Sequence, residues 1–297
     1  MNAEKSNNYI RIYPALPGNA VKIKLVIIIF NILMLFFIAV ILALPLLILG
    51  STLAGTFWRS SWFFAPLILA AIALINLYFI LNYRIYTLLE KEDWPALIME
   101  LEKRVLQKNN FNPRLVILLI HVYLVLSDTK SVTEMEKTLS VSRKKLVSRY
   151  ALSFGAARIL QKDYQGAADL FAASLENPNK SRPPLEAEWL RWYYGFSLLL
   201  SRRFKEASDV FILLTHEGRE GILVGLSAYF LHDSLSGFLP LQFTELKKIA
   251  KTGCERVKMT LPRRIDWDNE LKNNKTEIYL AIIQSYTEKT ADFLYQS

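Results

Sequence analysis

Residues 25–49 contain no charged side chain, and neither do residues 62–81. At a rise of about 1.5 Å per residue, either run is long enough to cross a hydrocarbon core about 30 Å thick. A buried helix in a water-soluble protein is rarely apolar all round for so long. The pattern predicts two membrane-spanning helices, at about 25–49 and 62–83, joined by a short loop at 50–61. From Tyr86 onward it changes. Apolar positions recur at three- and four-residue spacing, which predicts helix after helix. No stretch alternates in the manner of a strand. Polar breaks fall at 108–113, 127–130, 176–184 and 216–221, punctuated by Asn112-Pro113, Asn177-Pro178 and Pro183-Pro184. The expected fold class is all-α, with a tail at 1–24, a transmembrane hairpin at 25–85 and a helical domain at 86–297.

Several residues refine the hairpin. Pro45 lies within the first span and is a candidate kink. The first apolar run is too long for a signal-peptide core and a second span follows closely, so cleavage is not expected. Lys22 and Lys24 precede the first span and Arg84 follows the second, whereas the loop holds only Arg59. The positive-inside rule then places both termini in the cytoplasm. Phe57, Trp58, Trp62, Phe63 and Phe64 form an expected aromatic belt at the loop, and Tyr78, Tyr83 and Tyr86 one at the opposite end. Asn31 and Asn76 interrupt the two spans at similar depth. An unpaired amide in hydrocarbon is costly, so they are candidates for a bond to each other or to nearby backbone. Neither span contains Asp, Glu, Lys, Arg or His, which argues against a proton or ion pathway in the hairpin.

Composition agrees with this division. Of 297 residues, 52% are hydrophobic. The formal net charge is +9, which could suggest nucleic acid. Its distribution argues otherwise. Residues 1–85 hold six basic residues against Glu4 alone, so more than half of the excess flanks the apolar runs. The single cysteine, Cys254, excludes a disulfide within the chain and any multi-cysteine metal site.

The helical region contains a repeat. Gly155 and Gly195, Tyr164 and Phe204, Ala167 and Ala207, and Phe171 and Phe211 are each 40 positions apart. Within each unit the order is the same: a small residue, an aromatic nine on, alanine three further and phenylalanine four further. Tyr123, Val132, Met135 and Leu139 follow the same offsets, and Trp94, Leu97 and Leu101 match the second half of an earlier unit. Gly225 is a candidate opening of another pair, with 241–252 as its second helix and 269–295 as a terminal cap. This pattern resembles the tetratricopeptide repeat, a helix–turn–helix of about 34 residues. It departs from that family at the first tryptophan position, here Ala151 and Arg191, and at the later tyrosine position, here Arg158 and Leu198. The resemblance implies a solenoid of helix pairs with a concave groove that binds peptides or protein helices.

Catalytic motifs are absent from the sequence. His121 lies in an apolar stretch and reads as a core histidine. His216 lacks the second histidine of a zinc-binding helix, and His232 stands alone. No phosphate-binding glycine loop or GxSxG nucleophile turn occurs. Cys254 reads as a structural thiol, and Asp266 and Asp268 as capping a helix start. The basic clusters at 143–145, 202–205 and 247–251 read as solvated helix faces, or alternatively as contacts to anionic headgroups.

The expectation is therefore a membrane-anchored helical-repeat scaffold or adaptor, without catalysis, cofactor, nucleic acid or small-molecule substrate. Its partners are a protein and the membrane lipid. The alternatives are a structural subunit that uses the hairpin as its interface, or a membrane enzyme with an unrecognised site. By the resemblance, the first helices of the pairs line the groove. This makes Arg158, Arg191 and Trp192 the candidate partner-binding residues.

Overall fold

The computed structural model of the protein describes residues 23–61, 63–176, 184–273, 280 and 282–295. The N-terminal tail with Lys22, residue Trp62 and most of the expected loop at 176–184 lie outside the described residues. Every regular element among those described is helical. The chain divides into two compact units between Asn110 and Phe111. The boundary expected at 85/86 instead falls inside a helix.

The first unit opens with α1 (Ile23–Ser60) and α2 (Phe64–Glu90). Stretches Ile27–Ile48 and Pro66–Glu90 are long and apolar enough to cross a membrane, with mean hydropathies of 3.2 and 1.9. Leu35, Leu47, Ile48, Leu67, Leu74 and Ile80 are all exposed. The expected loop at 50–61 is largely helical. The interruption of α1 falls at Gly50, not at Pro45. Gly50 adopts φ 73°, a left-handed conformation that glycine takes at little cost, and the helix then resumes to Ser60. Asn31 and Asn76 bond to each other across the hairpin. Phe63 and Phe64 are exposed and stacked at 4.5 Å; the side chains of Phe57, Trp58 and Trp62 lie outside those described. Beyond α2, α3 (Trp94–Glu102) continues into a wider π-helical turn, Lys103–Gln107.

The second unit runs through α4 (Pro113–Val125), α5 (Thr129–Ser142), α6 (Lys144–Arg149), α7 (Ala151–Leu160), α8 (Tyr164–Glu176), α9 (Pro184–Leu200) and α10 (Phe204–Glu217). Then come α11 (Gly221–Phe230), the short α12 (Ser236–Phe238), α13 (Phe243–Thr260), α14 (Arg264–Asn273) and α15 (Gln284–Tyr295). A π-helical turn, Leu231–Leu235, links α11 to α12.

One turn recurs between helices in both units. Glu92, Ser127, Lys162 and Arg202 have positive φ, between 53° and 63°. The residue after each donates its backbone N–H to a carbonyl five positions back: Asp93 to Leu88, Asp128 to Tyr123, Asp163 to Arg158 and Arg203 to Leu198, at 2.8–3.0 Å. This is a Schellman C-cap, here with no glycine at the left-handed position. Each non-glycine residue held there costs roughly 1–2 kcal/mol. The same residue then starts the next helix. Asp93, Asp128 and Asp163 accept the N–H of Ala96, Ser131 and Gly166 at 3.0–3.2 Å, caps worth about 0.5–2 kcal/mol each.

These turns fix the repeat register. Asp93, Asp128, Asp163 and Arg203 fall 35, 35 and 40 positions apart. Gly155 lies against Phe171, and a Cβ there would overlap the phenyl ring. A Cβ at Gly195 would come within 2.9 Å of Val210 and 3.1 Å of Phe211. Ala167 and Ala207 are buried in both pairs. The unit containing Tyr123 was expected three positions out of step. By its turn, Val132 corresponds to Ala167, and Glu136 to Phe171 and Phe211. Tyr123 corresponds to Arg158 instead of Gly155.

The later units depart further. A Cβ at Gly225 would meet Trp267 of α14 first and then Leu294 of α15. Close approach of α13 is provided by its own Gly253, which meets Thr215 and Ala228. Where one terminal helix was expected at 269–295, the described residues show α14 to Asn273 and α15 from Gln284, with a turn at Ile283; 274–279 and 281 lie outside the described residues. Asp266 accepts the backbone N–H of Arg263 at 3.1 Å, the expected use at a helix start.

Candidate functional site

Arg158 stands on the last turn of α7, just before the Lys162 turn. Its Nε and Nη2 donate to the two carboxylate oxygens of Glu136 on α5, both at 3.0 Å, and its Nη1 donates to Asp163 at 3.1 Å. Glu136 is buried, at the position filled by Leu101, Phe171 and Phe211 in the other units. A carboxylate at a core position needs a partner, and the planar guanidinium supplies two parallel bonds. These bonds from Glu136, together with Asp163, raise the Arg158 pKa against the opposing effect of burial. Gln161 extends the seam, donating to the Thr133 hydroxyl at 2.9 Å. The α5–α7 contact is thus held by a polar strut where the neighbouring pairs use phenyl rings.

The three residues expected to form a binding groove are not gathered on one face. Trp192 is the clear correction. It is 0% exposed, stacked on Phe196 at 5.2 Å and near Phe211 and Phe230. Large aromatic neighbours enclose it on several sides, so it packs the core and no partner reaches it. Arg158 is committed to Glu136 and Asp163. Arg191 is half-buried on α9.

A second polar cluster, within the first unit, was not foreseen. Glu100 on α3 is buried and pairs with Arg104 at 2.7 Å and Arg84 at 3.2 Å. Arg104 also donates to the Asn82 side chain at 3.3 Å and the Leu81 carbonyl at 3.1 Å. The end of α2 is thereby fastened to α3 and its π-helical extension, which is why 86–110 belongs with the hairpin. The sequence signal was weak, since Glu100 reads as one more charge on a short helix.

Burial pushes the His121 pKa down and the Cys254 thiol up to about 11. His232 is also lowered, first by burial and then by Lys247. Arg256 reaches the end of α10 and donates to the carbonyls of Thr215, His216 (2.8 Å) and Gly218 (2.9 Å). Glu188 accepts the backbone N–H groups of Arg219 and Glu220 at the start of α11. Among the described residues no three His, Cys, Asp or Glu side chains gather as a metal site would require.

These features define an all-helical protein with paired helices and two long, uncovered apolar helices near its N-terminus. A family model described as "Uncharacterised Treponema protein" matches residues 131–296, from α5 onward, and the chain belongs to that family. A relative from Treponema pallidum (strain Nichols), described as "Uncharacterized protein", is 26% identical over 243 residues, covering 77% of this chain and 76% of its own. No solved structure matches.

Proposed function

We propose that the chain is a two-pass membrane protein whose helical domain is a scaffold, stacked in the manner of a tetratricopeptide solenoid, that binds a protein partner at the cytoplasmic face. The observation that carries the reading is the conjunction of two kinds of helix. The apolar surfaces of α1 and α2 are uncovered, and exposed contiguous apolar surface on this scale requires lipid or protein around it. Against them stands a series of helix pairs joined by one recurring turn, an architecture suited to presenting a surface. The flanking charges at Lys22, Lys24 and Arg84 favour cytoplasmic ends. The alternative, a subunit that assembles through the hairpin, finds less support, because Asn31 and Asn76 use their amides on each other and not on a third helix. Reporter fusions at Thr56 and at the C-terminus test the orientation. The reading expects an external signal from Thr56 and an internal one from the C-terminus; the reverse pattern would overturn it.

A further inference from the structure

One surface of the second unit combines exposed apolar side chains with basic ones. Between α12 and α13 the chain makes a short 3-10 turn, Pro240–Gln242. At its tip Leu241 is 101% exposed, and Phe238 and Phe243 on either side are also exposed. Phe238 stacks face to face on Phe204 at the start of α10, with centroids 4.1 Å apart and planes 1° from parallel. That stack joins two basic clusters which the sequence keeps apart. Arg202, Arg203 and Lys205 flank Phe204, while Lys247, Lys248 and Lys251 follow Phe243 on α13. Lys247 places its ammonium 4.2 Å from the centre of the Phe243 ring. Arg203 is paired with Glu206, and Asp233 and Glu245 oppose part of the charge. The remaining cations still exceed these acids.

We infer that this surface docks on an anionic lipid bilayer, with Phe238, Leu241 and Phe243 entering the interfacial layer and Arg202, Lys205, Lys248 and Lys251 meeting the headgroup phosphates. The chemistry favours lipid over protein as the occupant. The apolar residues project from a turn and do not line a groove, and the rim is rich in lysine, which protein interfaces deplete. Anionic leaflets attract such cations, and aromatic and aliphatic side chains beside them fit the boundary between headgroup and acyl chain. Val141 and Met259 are also exposed and have basic residues near them in sequence, but no exposed aromatic side chain adjoins either in the sequence, and single exposed apolar residues need no explanation.

The inference goes beyond partner binding and does not depend on which protein is bound. It rests on the chain being held at a membrane, which the same preparation checks. The full chain carrying Cys254→Ala and Leu241→Cys is labelled with an environment-sensitive fluorophore and placed, one copy per disc, in lipid nanodiscs of phosphatidylcholine alone or with phosphatidylserine. Docking predicts a blue shift in the anionic discs that is small in the neutral ones, is abolished by Lys248→Glu with Lys251→Glu, and is absent from a label at Val141→Cys. Reduced hydrogen exchange over 236–251 in unlabelled protein, in anionic discs only, is the independent readout. An unshifted fluorophore in anionic discs overturns the inference, as does an equal shift in neutral discs or a shift in detergent that grows with protein concentration, which would mean self-association. If the chain fails to stay in neutral discs at all, the hairpin reading has failed. Docking is then decided by adding the same labelled chain to anionic vesicles.

Discussion

Asn31 and Asn76 exchange hydrogen bonds across the hairpin, each Nδ2 donating to the other's Oδ1 at 3.0 and 2.9 Å. The second N–H of each amide reaches the carbonyl four residues back, Ile27 at 2.8 Å and Ile72 at 3.1 Å. All four amide hydrogens are thus satisfied within the hairpin, and the pair fixes the register of α1 against α2. A double-mutant cycle with Asn31→Val and Asn76→Val, read by detergent unfolding of the full chain, is expected to give a coupling of roughly 0.6–2 kcal/mol. Strictly additive single effects would mean that the amides act separately.

Gly155 and Gly195 set the closest approach of helices within two successive pairs. Gly155→Ala is expected to destabilise by about 1–3 kcal/mol through overpacking against Phe171, and Phe171→Leu in the same chain should recover part of the loss. Gly195→Leu is expected to be at least as damaging. Thermal melts decide it; unchanged melting in both single variants would show that these glycines are not packing positions.

The Glu136–Arg158 strut behaves as a buried ion pair. Arg158→Leu strands the buried Glu136 carboxylate and is expected to cost about 3–5 kcal/mol; Glu136→Leu leaves Arg158 its bond to Asp163 and should cost less, and the double replacement, which restores the apolar residue found at Phe171 and Phe211, should cost much less than Arg158→Leu alone. Equal losses in Arg158→Leu and the double variant, measured by denaturant unfolding, would contradict this account.

What could be read in the sequence, and what could not, follows from how local each signal is. The apolar runs around Asn31 and Asn76 and the Gly–Phe spacing of 155–171 and 195–211 are patterns of period and composition, and they gave the helices and two pairs correctly. Of the turns at Glu92, Ser127, Lys162 and Arg202, only Ser127 falls in an expected break, 127–130, and none marks its register, because glycine, the residue that usually marks a left-handed cap, is absent from all four. Without that register the unit around Tyr123 slips by three positions, and nothing in the sequence marks the core position of Glu136. Trp192 was misassigned for a related reason. Tryptophan suits both cores and binding surfaces, and only the enclosing Phe196, Phe211 and Phe230 decide between them. The strut to Arg158 and the stack of Phe204 on Phe238 join residues 22 and 34 positions apart, contacts that no local pattern encodes.

The most direct test of the scaffold reading is site-specific photo-crosslinking in native membranes. The full chain carries a photoreactive residue either at Arg191, on the helical domain, or at Leu35, on the exposed face of α1. The account predicts that irradiation from Arg191 yields one discrete protein adduct, the same in repeated preparations, and that Leu35 yields lipid adducts alone. A discrete protein adduct from Leu35 with none from Arg191 would contradict it and make the hairpin the interface.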